Sequence, residues 1–251
     1  MRNIWTIARR EYRQYFTSPI AYIAAILTLL TVGIYFVVMM YYLLNMANQS
    51  YYGNAAPGIN IIIGPLATVF LFAAPALTMR LLADEQRMGT LELLLTTPIK
   101  EGELVVGKWL GAFLFMLTII SITLVFPVIL NKLTNPGIDQ GVMLSGYLAI
   151  ILLAAVFLSI GTALSSFFNN QFAAFFATLA VLLVFWWLLR LPTFIFQNDT
   201  FNNILNYLDM NGRFNSMLSG TLSISDIIYP ISLTALGLFI SSVAVEIRRW
   251  K

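Results

Sequence analysis

Gly102 to Lys108 reads G-E-L-V-V-G-K, the first seven positions of a phosphate-binding loop. Such a loop aims backbone N–H groups at phosphates, its lysine reaches the terminal phosphates, and a following Ser or Thr holds magnesium. Here Trp109 follows, and the segment leads into an apolar run instead of joining a strand to a helix. That excludes nucleotide binding by this stretch. Gly107 and Gly111, four apart, fit close helix packing better. Other chemistry is scarcer still. The chain has no cysteine and no histidine, so disulfides, thiolate metal sites and Cys or His nucleophile and base chemistry are excluded. Asp199, Asp209 and Asp226 are too scattered for a phosphotransferase of lipid headgroups, and the two aspartates within spans that an intramembrane aspartyl protease needs are not present. An enzyme is not the expected product of this sequence.

Polarity instead gathers in one internal stretch, residues 81 to 109. Asp84, Glu85, Arg87, Glu92, Lys100, Glu101, Glu103 and Lys108 are eight of the 25 charged residues (14 basic plus 11 acidic). The surrounding chain, 251 residues long, is 59% hydrophobic and 14% aromatic with mean hydropathy +0.84, more than a soluble core can bury. Its solvent must be mostly lipid. A net charge of +3 and a pI near 9.2 would suit an acidic partner, but the charges flank apolar runs and do not form a nucleic-acid face.

A helix needs about 20 mostly apolar residues to cross the hydrocarbon core. Six stretches qualify: 20 to 45, 59 to 82, 104 to 130, 142 to 165, 171 to 194 and 227 to 246. Backbone polar groups in lipid must pair internally, so the fold is all-α. Pro65, Pro75 and Pro127 are expected to kink spans. Eleven of 14 basic residues fall on one side of this alternation, with Lys132, Arg190 and Arg213 on the other. The positive-inside rule then puts both termini and the polar stretch in the cytoplasm. The first run is longer than the core of a signal peptide, roughly 7 to 15 residues, and reads as a retained span.

Residues 1 to 18 are expected to form an amphipathic interfacial helix, with Ile4, Trp5, Ala8, Tyr12, Tyr15 and Phe16 on one face and Arg2, Arg9, Arg10 and Arg13 on another. The external segment 195 to 226 carries helical periodicity at Ile204, Leu205, Tyr207 and Leu208 and again at Phe214, Met217 and Leu218. Short surface or re-entrant helices are expected there. Within the polar stretch, Thr90 is a suitable N-cap, Glu92 sits in the first turn, and Leu91, Leu94 and Leu95 form a stripe. Pro98 biases Thr97 out of the helix. A capped helix of about two turns with leucines on one face needs a cover: headgroups or a partner protein.

"ADEQRMGTLELLLTTPIKEGELVVGKW" resembles the cytoplasmic segment of ABC-2-type permeases, through Glu85, Gly89, Thr90, Glu92, Leu94, Leu95, Pro98, Gly107 and Lys108. Gliding-motility-type (GldF-like) permeases are the nearest subgroup, with the nitrous-oxide-reductase maturation type (NosY-like) next. "REYRQYFTSPIAYI", "PALTMRLLADE" and "LSGTLSISDIIYPISL" support the likeness along the rest of the chain. The resemblance implies one transmembrane domain over 1 to 251, of the type V ABC exporter kind: an interfacial helix, six spans, and a coupling segment at 83 to 101. It implies that Glu85, Gly89, Thr90, Leu91, Glu92, Leu94, Leu95, Thr97 and Pro98 meet a separate cytoplasmic ATPase, which binds the ATP and magnesium. It further implies a second permease subunit, a copy or a homologue, and a place in the inner membrane. It favours export, and leaves room for a periplasmic or membrane accessory subunit.

The spans carry no clear mid-membrane charge, which argues against a proton-coupled carrier. Arg80 and Arg190 lie near span ends, where long side chains reach the interface. Phe167, Phe168, Asn169, Asn170 and Gln171 make an uncharged inner turn, suited to large apolar or amphipathic cargo. The alternative is a non-transporting membrane anchor or scaffold. It explains the spans but not the leucine-faced helix.

Overall fold

The structure is a computed structural model that describes residues 2–47, 58–89, 100–134, 137–191, 205 and 207–249. All its regular structure among these residues is helical. In chain order the helices are α1 (Arg2–Tyr15), α2 (Pro19–Ala47), α3 (Asn60–Thr78), α4 (Ala83–Arg87), α5 (Glu101–Thr123), α6 (Val125–Leu133), α7 (Gln140–Phe167), α8 (Gln171–Trp186), α9 (Met210–Leu218) and α10 (Ile224–Arg249). A 3-10 turn, Leu188–Arg190, follows α8.

Among the described residues, five stretches are long and apolar enough to cross a membrane: Ala21–Leu43, Asn60–Arg87, Glu101–Leu133, Gln140–Phe167 and Ile224–Ile247. The fifth expected span differs. Its helix, α8, has 16 residues and tightens at Trp187 into the 3-10 turn, so at 1.5 Å per residue it covers roughly 24 Å. The third expected span is also divided, at Leu124. Pro127 falls in the first turn of α6, where its missing N–H has no intrahelical partner to lose, so the chain restarts a helix there. Pro65 and Pro75 lie inside α3.

The bundle centres on α7, which packs against α3, α5, α8, α9 and α10. Small residues make that possible. A Cβ on Gly161 would stand 2.8 Å from the Thr78 Cβ of α3, and one on Gly237 of α10 would stand 3.0 Å from the Ser159 backbone. Lipid tails are as apolar as leucine, so packing of this kind, rather than water exclusion, holds such helices together. By contrast α2 buries one stripe, Ala21, Ala24, Thr28, Val32 and Phe36, at helical spacing. The rest of α2 exposes Ile23, Ile26, Leu30, Ile34 and Val38, a surface that is costly in water and ordinary in lipid.

At one end of the bundle Ile7, Leu82, Leu104, Val105 and Val245 form a separate buried cluster. This joins α1, the loop before α4, the start of α5 and the end of α10, all assigned to one side by the alternation of basic residues. At the other end lies α9, capped by the Asp209 carboxylate, which accepts from Asn211 N at 3.1 Å. Its Phe214, Met217 and Leu218 are buried, as their spacing predicts, whereas Tyr207 and Leu208 are exposed. Arg213 pairs with Asp226 of α10 at 3.3 Å and stands over the rings of Tyr207 and Tyr229. These contacts tie α9 to α10. Ile204, like the rest of 192–204, lies outside the described residues.

Candidate functional site

The expected face of α1 is only partly right. Ile7, Ala8, Glu11 and Tyr15 are buried, with Ile4 and Tyr12 half-buried, while Trp5 and Phe16 are exposed. The cause is the partner. The helix lies along α5 with its backbone close: a Cβ on Gly107 would stand 2.8 Å from Ile7 Cβ, and one on Gly111 would stand 3.0 Å from Ala8 O. So the two glycines do serve packing, and the helix they admit is α1. Tyr12 Oη and Thr118 Oγ1 share a hydrogen bond of 3.0 Å.

This close approach carries Glu11 to Lys108. The lysine side chain is 3% exposed, yet its Nζ lies 3.0 Å from Glu11 Oε1 and 2.8 Å from Glu85 Oε1. Arg10, at 3.3 Å from Glu11 and 4.0 Å from Glu85, completes two cations against two carboxylates. A buried ammonium is tolerated when its hydrogen bonds and charge are met, and here they are. Arg10 is 57% exposed, so its share is small, about 0–1 kcal/mol per pair. Lys108 is the member on which the cluster depends.

The residues just before the expected coupling helix are fixed on a second side as well. Ser165 Oγ accepts from Leu82 N and Ala83 N at 3.2 and 3.1 Å, and Gln86 Nε2 donates to Ser166 O at 2.9 Å. Gln171 Nε2 donates to Asp84 Oδ1. Thus α4 is fastened to the end of α7 and the start of α8. Beyond its end and the C-cap Met88 comes Gly89, whose φ of +68° is the left-handed conformation that glycine adopts most readily. A cleft of about 340 Å³ opens beside α4, bounded by Arg10, Glu11, Tyr15, Arg80, Glu85 and Lys108. Arg80, expected to reach out to the interface, instead donates to Ser18 Oγ at 2.8 Å.

Tyr15 closes the inner wall. Its hydroxyl donates to Leu77 O at 3.0 Å and its ring stacks on Phe115. Burial, then the nearby Glu11 carboxylate, pushes the phenol well above its ordinary range, with Arg80 pulling the other way. It stays a neutral donor. Tyr15→Phe is expected to lower stability by about 0.5–1.5 kcal/mol, read as a fall in thermal midpoint of the detergent-solubilised chain.

Of the residues expected to meet a partner, Glu85 and Gly89 occupy these positions. Thr90, Leu91, Glu92, Leu94, Leu95, Thr97 and Pro98 lie outside the described residues. Of the expected interfacial set, Arg2 belongs to α1, Trp5, Arg9 and Arg13 are exposed, and Arg10 joins the cluster. Glu11 escaped the sequence reading. Its signal is that it is the one carboxylate of α1 and follows Ile4, Ile7 and Ala8 at helical spacing. Among the described residues, no group of three or more carboxylates is placed to hold a metal.

The family model described as "ABC-2 family transporter protein" matches residues 5–247. The protein named "Probable ABC transporter permease protein NosY" from Pseudomonas aeruginosa is 29% identical over 183 residues, covering 66% of this chain and 60% of that protein. With a match over nearly its full length and, among the described residues, five apolar helices able to cross a membrane, the chain belongs to the ABC-2 transporter family, as a multi-pass membrane subunit.

Proposed function

We propose that the chain is the permease subunit of an ABC exporter in the cytoplasmic membrane, driven by a separate ATPase that docks on residues 83 to 101. ATP and magnesium sit on that ATPase. Two permease subunits and two ATPases make the working unit, with α8 and its 3-10 turn as the sixth crossing and the end that holds α1 and α4 facing the cytoplasm. Within that family the chain is of the gliding-motility type.

The observation that carries this reading is the double fastening of α4. Glu85 reaches Lys108, at the start of α5, and through it Glu11 of α1. Asp84 reaches the start of α8 and Gln86 the end of α7. A push delivered to 90–99 enters the bundle along α1, α5, α7 and α8 together, and so moves helices as bodies. An anchor would gain nothing from such bracing, since it has no displacement to pass on.

Leu94 and Leu95 supply the apolar contact. Leu94→Arg with Leu95→Arg is expected to cost at least about 2 kcal/mol, roughly thirtyfold in affinity for the ATPase. Co-purification in nanodiscs with the ATPase encoded beside this chain measures it. A correctly inserted wild type that retains no ATPase overturns the proposal in favour of the scaffold.

A further inference from the structure

Arg10 is engaged by Glu11 and Glu85, but its neighbours Arg9 and Arg13 have no carboxylate within ion-pair distance among the described residues. With Trp5 they stand at every fourth position of α1, hence on one side of the helix. That side borders a groove of about 560 Å³ whose far wall is Leu114 and Leu117 of α5. Trp5, Arg9 and Arg13 also line a second hollow of about 330 Å³, which shares them with the first and whose other lining among the described residues is Thr6 and Arg10. The two hollows differ in kind. One is walled by apolar carbon along α5; the other is cationic.

We infer that this paired groove binds one anionic phospholipid of the bilayer, with its phosphate between Arg9 and Arg13 and an acyl chain along Leu114 and Leu117. Charge complementarity selects the headgroup: two unpaired guanidiniums form forked donors that match phosphate oxygens. The apolar wall selects a lipid over a free anion. From Leu114 to Ser121 it follows roughly 10 Å of helix, room for a substantial part of one chain. Trp5, 57% exposed, has the amphipathic ring found at the headgroup level. Among the described residues the groove is bounded by α1 and α5, so a lipid seated there bears on the pair of helices that holds Glu11 to Lys108.

The inference rests on the proposed interfacial place of α1, and the test separates the two. The full chain is reconstituted in phosphatidylcholine vesicles containing the same minor fraction of brominated phosphatidylglycerol or brominated phosphatidylcholine. Trp5 emission is isolated by subtracting a Trp5→Phe variant, since the chain has 5 tryptophans. Brominated phosphatidylglycerol is expected to quench Trp5 at least about threefold more strongly than brominated phosphatidylcholine. Arg9→Gln with Arg13→Gln should bring that ratio to one, and Arg9→Lys with Arg13→Lys should keep most of it. Inorganic phosphate at constant ionic strength should leave the ratio unchanged. Equal quenching by both lipids overturns the lipid site while keeping α1 at the interface, and no quenching by either overturns both. A preference abolished by inorganic phosphate makes the site one for a free anion and overturns the lipid assignment.

Discussion

Lys108→Met is expected to be the most damaging single substitution in the chain. It leaves the Glu11 and Glu85 carboxylates facing one another across a position 3% exposed, without the ammonium that lay between them. Removing one partner of a buried ion pair costs about 3–5 kcal/mol, because the charge left behind is still desolvated. In a chain of this length that is a fall on the order of 10 °C in thermal midpoint, measured on the solubilised protein. The diagnostic variant is Lys108→Met with Glu11→Gln and Glu85→Gln. Once the carboxylates are neutral the penalty is relieved, and most of the midpoint should return. Failure to recover would mean that the lysine acts through its packing and not its charge.

The second large effect belongs to Gly111. Any side chain there meets the Glu11 Cβ at 2.6 Å and the Ala8 carbonyl at 3.0 Å, and the carbonyl is backbone that has nowhere to turn. Gly111→Leu must therefore push α1 away from α5, at a cost of about 3 kcal/mol or more. The result should be visible as geometry. Because the natural sequence has no cysteine, Arg9→Cys and Leu117→Cys can carry a spin-label pair across the groove without further changes. The label distance is expected to lengthen in the Gly111→Leu background. An unchanged distance would show that the two helices do not depend on that glycine for their approach.

What the sequence made legible follows from the range over which each signal acts. Apolar runs and the sides of basic residues are local, and the long helices lie where they are expected. The Gly107 and Gly111 spacing announces a close helix without saying which one. Glu11 and Lys108 are 97 residues apart, and their pairing exists only because α1 lies along α5. No periodicity within either segment encodes that. The misassigned face of α1 has the same origin: amphipathicity separates apolar from charged residues, but a glycine-lined partner admits Ile7 and even Glu11 while leaving Trp5 outside. In the fifth expected span, hydropathy is blind to the change of hydrogen-bond register at Trp187. The apolar run reads the same whether the helix continues or tightens.

The arrangement of the charge cluster along the chain bears on how the protein is made. Chains emerge from the ribosome N-terminus first, at about 5–20 residues per second. Glu11 precedes Lys108 by 97 residues and Glu85 precedes it by 23 (108 minus 85). Both carboxylates have therefore been synthesised before the ammonium leaves the tunnel, and α1 can already be in place to receive α5. The least soluble charge in the bundle is the last of its partners to be born, and it need not wait in the membrane alone.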